Sequence, residues 1–121
     1  MTFRFLVNPK TGRRYKNYVI NEYGDLLNLK TLKWRTPSVS TTSQYPKHVI
    51  HDNGKAVIFA VHQWLWASFN EATIPDGYQI HHVNFDHTDD YIDNLVCLSR
   101  AEHMRVHREH RKNEVVNNAK F

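Results

Sequence analysis

The sequence predicts an α+β fold in which small antiparallel β-hairpins and one helix precede a strand–loop–strand–helix segment. Two local signals carry this prediction. Asn53-Gly54 separates two apolar stretches, and Asn-Gly favours a tight hairpin because both turn residues need positive φ angles. Ser99 is followed three residues later by Glu102, a capping-box spacing that starts a helix at about Arg100.

The N-terminal half contains further hairpin patterns. Strand-type residues at 18–29 flank a turn at residues 22–25, and residues 32–35 are a candidate third strand. Residues 1–17 are basic and rich in turn-forming residues. Residues 61–70 have apolar side chains at helical spacing, which predicts a helix.

The charge of the chain is distributed unevenly. Residues 1–55 carry ten Lys/Arg against three Asp/Glu, whereas residues 56–98 carry six acids and no Lys or Arg. Residues 99–121 carry six basic residues against three acids. Two basic flanks around an acidic, histidine-rich centre suit a polyanionic partner with a metal between them. A basic surface that is merely solvated is the alternative at this point.

Composition also excludes several classes of protein. Cys97 is the single cysteine, which argues against a disulfide framework and a cysteine-based zinc ribbon. No stretch approaches the roughly 20 apolar residues of a membrane span, and the N-terminal apolar run is too short for a signal peptide. These features predict a soluble, cytoplasmic protein.

Histidines recur across the predicted strand–loop–strand–helix segment. His81 and His82 lie near the end of the first strand. His103 and His107 stand four residues apart, so they share one face of the helix. This pair and a strand histidine could hold a divalent metal. Adjacent residues of a regular strand face opposite sides, so His81 and His82 could serve one site only if the strand bends or ends there.

At these residues the chain resembles the HNH endonuclease family, whose motif is also called the ββα-metal motif. The family includes phage homing and nicking endonucleases and nuclease colicins. Its pattern of His-His, Asn-Leu and two histidines four residues apart is matched by His81-His82, Asn94-Leu95, His103 and His107. The match covers roughly residues 78–110 of the sequence.

The resemblance implies a divalent-metal-dependent DNA endonuclease that hydrolyses phosphodiester bonds, leaving 5′-phosphate and 3′-hydroxyl ends. It implies that His82 is the general base and that Asn94 orients it by bonding to nearby backbone. His81 and His103 would ligate the metal, with His107 as a third ligand or a phosphate contact. One divalent ion is implied, Mg²⁺ or Mn²⁺, with Zn²⁺ or Ni²⁺ as alternatives, and three imidazoles suit magnesium least.

Residues 18–69 resemble, more weakly, the region that precedes the motif in phage HNH homing endonucleases. By that resemblance His62 packs the helix, and we interpret His48 and His51 as structural residues of the hairpin. The motif loop departs from the family, since it usually begins Asp-Gly-Asn and here reads Asn84-Phe85-Asp86. A reshaped loop is therefore expected, and the groups that could lie behind the metal ligands are Asp86, His87, Asp89 and Asp90.

On this basis residues 1–76 form a basic, β-rich DNA-binding region with one helix, and residues 77–121 form the nuclease motif and a basic C-terminal helix. Double-stranded DNA is the expected partner of a monomer or homodimer. A non-catalytic DNA-binding module with a structural zinc site is the alternative, although such a site normally has four protein ligands. The side chains expected to contact phosphates are Arg13, Arg14, Lys16, Lys30, Lys33, Arg35, Arg105, Arg108, Arg111 and Lys112.

Overall fold

The computed structural model describes residues 1–118, with side chains described up to residue 112. Four strands form one antiparallel sheet in chain order: β1 (Phe3–Val7), β2 (Arg14–Asn21), β3 (Leu26–Asn28) and β4 (Lys33–Arg35). A hairpin and a helix follow: β5 (Lys47–Asp52), β6 (Lys55–Ala60) and α1 (Val61–Asn70). The chain continues with a second hairpin and a long helix: β7 (Tyr78–His82), β8 (Leu95–Ser99) and α2 (Arg100–Asn118).

The two local signals in the sequence form the elements they predict. Asn53 and Gly54 have φ angles of 51° and 78° and connect β5 to β6. The Ser99 backbone N–H donates to Glu102 Oε1 at 3.0 Å, and the Glu102 N–H donates to Ser99 Oγ at 3.2 Å. This reciprocal capping box starts α2 at Arg100, as predicted. The α+β architecture is confirmed.

Strand β1 was not predicted from the sequence pattern. Arg4 interrupts its apolar residues, and apolar and polar residues do not alternate strictly along it. In the structure, its pairing with β2 shifts register between Phe5 and Leu6. The strand is held by its neighbours instead, because Leu6 is fully buried and the Val7 N–H donates to Ser68 Oγ of α1 at 2.9 Å. Tertiary packing therefore supplies what local propensity lacks.

Helix α1 lies at the centre of the hydrophobic core. Trp64 is fully buried and its indole N–H donates to the His48 carbonyl at 3.0 Å. The same cluster contains Leu6 from the N-terminal sheet and Ile80 and Leu95 from the second hairpin. The two segments predicted from the sequence thus share one core, which fixes the β7–β8 hairpin against α1. Among the described residues, no helix combines the length and apolarity needed to cross a membrane.

The turn between β2 and β3 supports the connection between β7 and β8. The Ile92 N–H donates to the Glu22 carbonyl at 2.9 Å, and the rings of Tyr23 and Tyr91 lie 5.3 Å apart. Gly24, with φ of 86°, comes so close to α1 that an added Cβ would lie 2.6 Å from Val61 Cγ1. The turn therefore depends on glycine both for its backbone conformation and for the space available.

We expect Gly24→Ala to lower the free energy of unfolding more than Gly54→Ala does. Both glycines have positive φ, which costs an alanine about 1–2 kcal/mol. Only Gly24 has a neighbour that an added methyl group would overlap, whereas nothing lies within 4 Å of a Cβ at Gly54. Overpacking adds about 1–3 kcal/mol. Urea unfolding of both variants measures the difference, and equal losses would contradict the close approach at Gly24.

Candidate active site

Three histidines from two elements converge beside the second hairpin. His81 comes from β7, and His103 and His107 come from successive turns of α2. Their candidate ligand nitrogens all lie within 4.8 Å of one another, and Nε2 of His103 lies 3.0 Å from Nε2 of His107. The structure thus brings together the three side chains that the sequence predicted as metal ligands.

The chemistry of this cluster fits a metal ion. His81 is buried, and its Nε2 has no hydrogen-bond partner within the described part of the chain. Burial, followed by the neighbouring His107 and His103, lowers the pKa of His81 to about 4. Burial and then His107 also lower the pKa of His103. These imidazoles are therefore neutral at neutral pH, which is the form that ligates metals.

His82 faces a different set of side chains. Its ring is 5.0 Å from the ring of His62 on α1 and is stacked on Tyr45 at 6.1 Å, with the planes 10° apart. Its Nε2 lies 2.7 Å from Asp90 Oδ1, and both side chains are about nine-tenths buried. Sequence reasoning named Asp90 only as one of several loop groups. No local pattern indicates that this carboxylate, eight residues after His82, would reach the ring.

Asn94 holds the two ends of the motif loop together. Its Oδ1 accepts from the Asn84 N–H at 3.0 Å, and its Nδ2 donates to the Asp89 carbonyl at 2.9 Å. The Asn94 carbonyl accepts from the Val83 N–H at 2.8 Å. The amide therefore contacts backbone just beyond His82, whereas the contact to the His82 ring itself comes from Asp90.

Phe85 occupies the loop position where the family has glycine. It adopts a φ of 62°, a left-handed conformation that costs a bulky residue about 1–2 kcal/mol. Its ring lies edge-on to His81 at 4.8 Å and to His107 at 5.0 Å, and stacks on His110 at 3.8 Å. The loop thus keeps a glycine-like backbone and places an aromatic wall against the histidine cluster.

The three-histidine cluster and His82 share one cavity of about 220 Å³. The cavity is lined by His81, His82, His103 and His107, together with Tyr45 and other residues. Tyr45 lies in the loop between β4 and β5, two residues before β5 begins. A second cavity of about 360 Å³ is lined by the two α2 histidines with Arg108 and Arg111. Two of the predicted DNA-contacting arginines therefore lie next to the cluster.

The other basic residues predicted to contact DNA have varied surroundings. Arg35 is half-buried and donates to the Val49 carbonyl at 2.8 Å. Arg13 pairs with Asp52 at 3.1 Å and Arg14 with Glu71 at 3.3 Å, although both arginines are largely exposed. The remaining exposed members of the predicted set are Lys16, Lys30, Lys33, Arg105 and Lys112.

The histidines interpreted as structural also differ from one another. His48 is buried, and its Nε2 lies 2.8 Å from the Gly24 carbonyl, whereas His51 is exposed. His62 is buried in α1, as a packing residue would be, but its ring also touches His82. Spacing alone could not reveal that contact, since the two residues lie on different elements.

Comparison with known proteins agrees with this geometry. Residues 59–105 match a family model described as HNH endonuclease. This segment carries the HNH endonuclease motif. The resemblance recognised from the sequence is thus confirmed for this segment. A solved structure described as "DNA binding and cleavage by the HNH homing endonuclease I-HmuI" aligns with a TM-score of 0.69 and 16% identity, covering 99% of this chain and 67% of that chain. At this identity the likeness establishes the fold. No curated protein matches the sequence significantly.

We expect the stability of the protein to fall as pH drops from about 6.5 to 4, partly because of His62. Burial and then His82 lower the pKa of His62 to about 4 in the folded protein, while an unfolded histidine titrates near 6.5. Between these values the unfolded chain binds more protons, so stability rises with pH across this window. The contribution is on the order of 3 kcal/mol, and no further loss arises below the folded pKa.

Urea unfolding at several pH values tests this expectation. His62→Gln should make the pH dependence between 4 and 6.5 less steep, because it removes one of the titrating buried rings. His51→Gln is the matched control, since it removes an exposed histidine. An unchanged pH dependence in His62→Gln would show that the ring is already protonated in the folded state at pH 5 or is not buried.

Proposed function

We propose that this protein is a divalent-metal-dependent DNA endonuclease that hydrolyses phosphodiester bonds, nicking or cutting both strands in the manner of a homing endonuclease. One observation carries the proposal: a three-histidine cluster and a separately hydrogen-bonded histidine line the same cavity. The segment that contains them matches the HNH endonuclease model. The description of the similar solved structure concerns DNA binding and cleavage.

His81, His103 and His107 are the residues that would hold the metal. Bound there, a divalent ion would stabilise the charge that develops on the scissile phosphate and on the leaving 3′ oxygen. Three imidazole nitrogens favour Mn²⁺, Zn²⁺ or Ni²⁺ over Mg²⁺. The group formed by His81, His103 and His107 offers three ligand atoms within 4.8 Å of one another, one fewer than a closed structural zinc site normally has. An open position is what a catalytic site requires.

His82 is the proposed general base that accepts a proton from the attacking water. A neutral imidazole is the side chain best suited to this role near neutral pH. His82 is the one motif histidine outside the three-histidine cluster, and it lines the same cavity. Asn94 would act indirectly, because its hydrogen bonds to Asn84 and Asp89 hold the loop that follows His82.

The basic residues would supply contacts to DNA phosphates. Arg108 and Arg111 are the leading candidates, since they line the cavity that adjoins His103 and His107. Arg13 and Arg14 would have to exchange a carboxylate partner for a phosphate. The proposal includes double-stranded DNA as the partner, action as a monomer or homodimer, and a cytoplasmic location.

We expect metal-dependent conversion of supercoiled plasmid, or cleavage of long phage or host DNA, that a chelator abolishes. The assay should cover Mg²⁺, Mn²⁺, Zn²⁺ and Ni²⁺, and long DNA is needed because a site-specific enzyme ignores a plasmid that lacks its site. His82→Gln should reduce cleavage by roughly 10²–10⁴-fold, the usual contribution of a positioned base. Glutamine is preferred to alanine because its amide can still donate to Asp90.

The matched variant His103→Ala separates the two roles. It should lower both metal content and cleavage, because a ligand is removed, whereas His82→Gln should retain its metal, its fold and its DNA affinity. Absence of cleavage with every metal and substrate, together with stoichiometric zinc in the purified protein, would favour the non-catalytic DNA-binding module instead. A His82→Gln variant that cuts normally would show that the base lies elsewhere.

DNA affinity should depend steeply on salt, with log K falling by about 0.9 per neutralised phosphate for each unit of log salt. Arg108→Gln and Arg111→Gln should each weaken binding and reduce this slope by about one phosphate. Lys55→Gln, which removes an exposed charge next to the Asn53-Gly54 turn, is the control and should leave the slope unchanged. Fluorescence anisotropy across a salt series measures both quantities, and equal slopes in all variants would count against a phosphate contact on α2.

A further inference from the structure

We propose that Asp90 is a positioning residue that holds the His82 ring with its proton on Nε2, so that Nδ1 is the atom that accepts the proton of the attacking water. The inference rests on the proposed endonuclease function, because it assigns a partner to the base of that reaction. It goes beyond the motif itself, in which Asn94 is the residue expected to orient the histidine.

The geometry of the pair fixes the direction of the hydrogen bond. Asp90 Oδ1 lies 2.7 Å from His82 Nε2, which is a short, charge-assisted distance. With the carboxylate as the acceptor, Nε2 is the donor of this bond and carries the proton. The side chains of His82 and Asp90 are 6% and 10% exposed, so water competes little for this bond.

The other ring nitrogen is then the one available for chemistry. The bond to Asp90 is the single hydrogen bond that the His82 ring makes to the described residues. Its Nδ1 has no partner among those residues and is not fully enclosed by the protein. The ring also lines the cavity that His81, His103 and His107 share. An unprotonated Nδ1 on a ring at this cavity can accept a proton from a water located there.

The surroundings of the ring oppose reorientation. Tyr45 stacks on one face of His82, and His62 lies edge-on at 5.0 Å. Burial keeps His62 neutral, since its pKa is about 4, so it adds no positive charge beside His82. Once His82 has taken up a proton, the Asp90 carboxylate is the anion in contact with the imidazolium, and it stabilises that charge where water is largely excluded.

Asp90 is itself held from a distant part of the sequence. Its Cβ would lie 3.9 Å from a methyl group added at Gly24. Two residues later the Ile92 N–H donates to the Glu22 carbonyl, and Tyr91 packs on Tyr23. The turn between β2 and β3 therefore fixes the segment that carries the carboxylate. A carboxylate on an unsupported loop could not restrict the ring in this way.

Proton–nitrogen NMR correlations of the imidazole rings test the inference without any reaction. At about pH 8, above the usual imidazole range, His82 of the unsubstituted protein should show a downfield proton on Nε2 and an unprotonated Nδ1. The resonance is assigned by its loss in His82→Gln. In Asp90→Leu, which keeps the shape of the side chain but has no acceptor, this proton signal should disappear or move upfield. A ring protonated on Nδ1 in the unsubstituted protein overturns the inference by itself.

Cleavage kinetics supply the second readout. Asp90→Leu should lower kcat by a factor approaching the roughly 10²–10⁴-fold of a positioned base, with KM for DNA and metal content unchanged. Asp90→Glu should recover part of the rate, because it restores an acceptor. Asp93→Asn is the matched control, since it removes an exposed charge from the same connection between β7 and β8 and should cut normally.

The outcomes separate the inference from the proposed function. If the unsubstituted protein cuts no DNA, the endonuclease proposal fails while the NMR comparison still decides how the ring is held. If Asp90→Leu cuts at the normal rate, the positioning role is overturned even though the enzyme is real. If Asp90→Leu loses activity only in proportion to its loss of folded protein, and Asp90→Glu restores folding without restoring rate, Asp90 is a structural residue and the inference is again overturned.

Discussion

The arrangement of the site depends on one geometric constraint, which is that His81 and His82 are consecutive residues of a β-strand. Their side chains leave opposite sides of the hairpin. His81 therefore meets the histidines of α2, whereas His82 meets His62 and Asp90. Both reach one cavity because β7 ends at His82. Adjacent positions can thus serve as candidate ligand and candidate base, since each side of the hairpin supplies a different environment.

Burial has two opposite effects on several of these histidine rings: it keeps them neutral, and it lowers the stability of the protein. Desolvation is the largest cause of the lowered pKa values of His48, His62, His81 and His103. It keeps their lone pairs free, and it also leaves one nitrogen each of His48, His62 and His81 without a partner in the described chain. Unsatisfied buried groups are destabilising. The hydrophobic cluster around Trp64, against which the site lies, contributes stability that offsets this cost.

Local sequence rules predicted those parts of the molecule that local interactions decide. The Asn53-Gly54 turn and the Ser99–Glu102 capping box act within a few residues, and helical spacing alone places His103 above His107. Strand β1 was missed because its stability comes from β2 and α1. The contact between Asp90 and His82 was missed because it depends on the path of the whole motif loop. That path includes Phe85 at positive φ, which residue preferences disfavour.

The β2–β3 turn supports the motif loop, so the motif segment does not by itself contain everything that shapes the site. The stretch that matches the family model, residues 59–105, contains all of the motif histidines except His107, and it contains Asp90, but it leaves out Glu22 and Gly24. Transplanted alone into another scaffold, it would lack the carbonyl that anchors Ile92 and the glycine that lets the turn approach α1. Homologous recombination that exchanges the motif would have to exchange the turn as well, so these two distant stretches are expected to co-evolve.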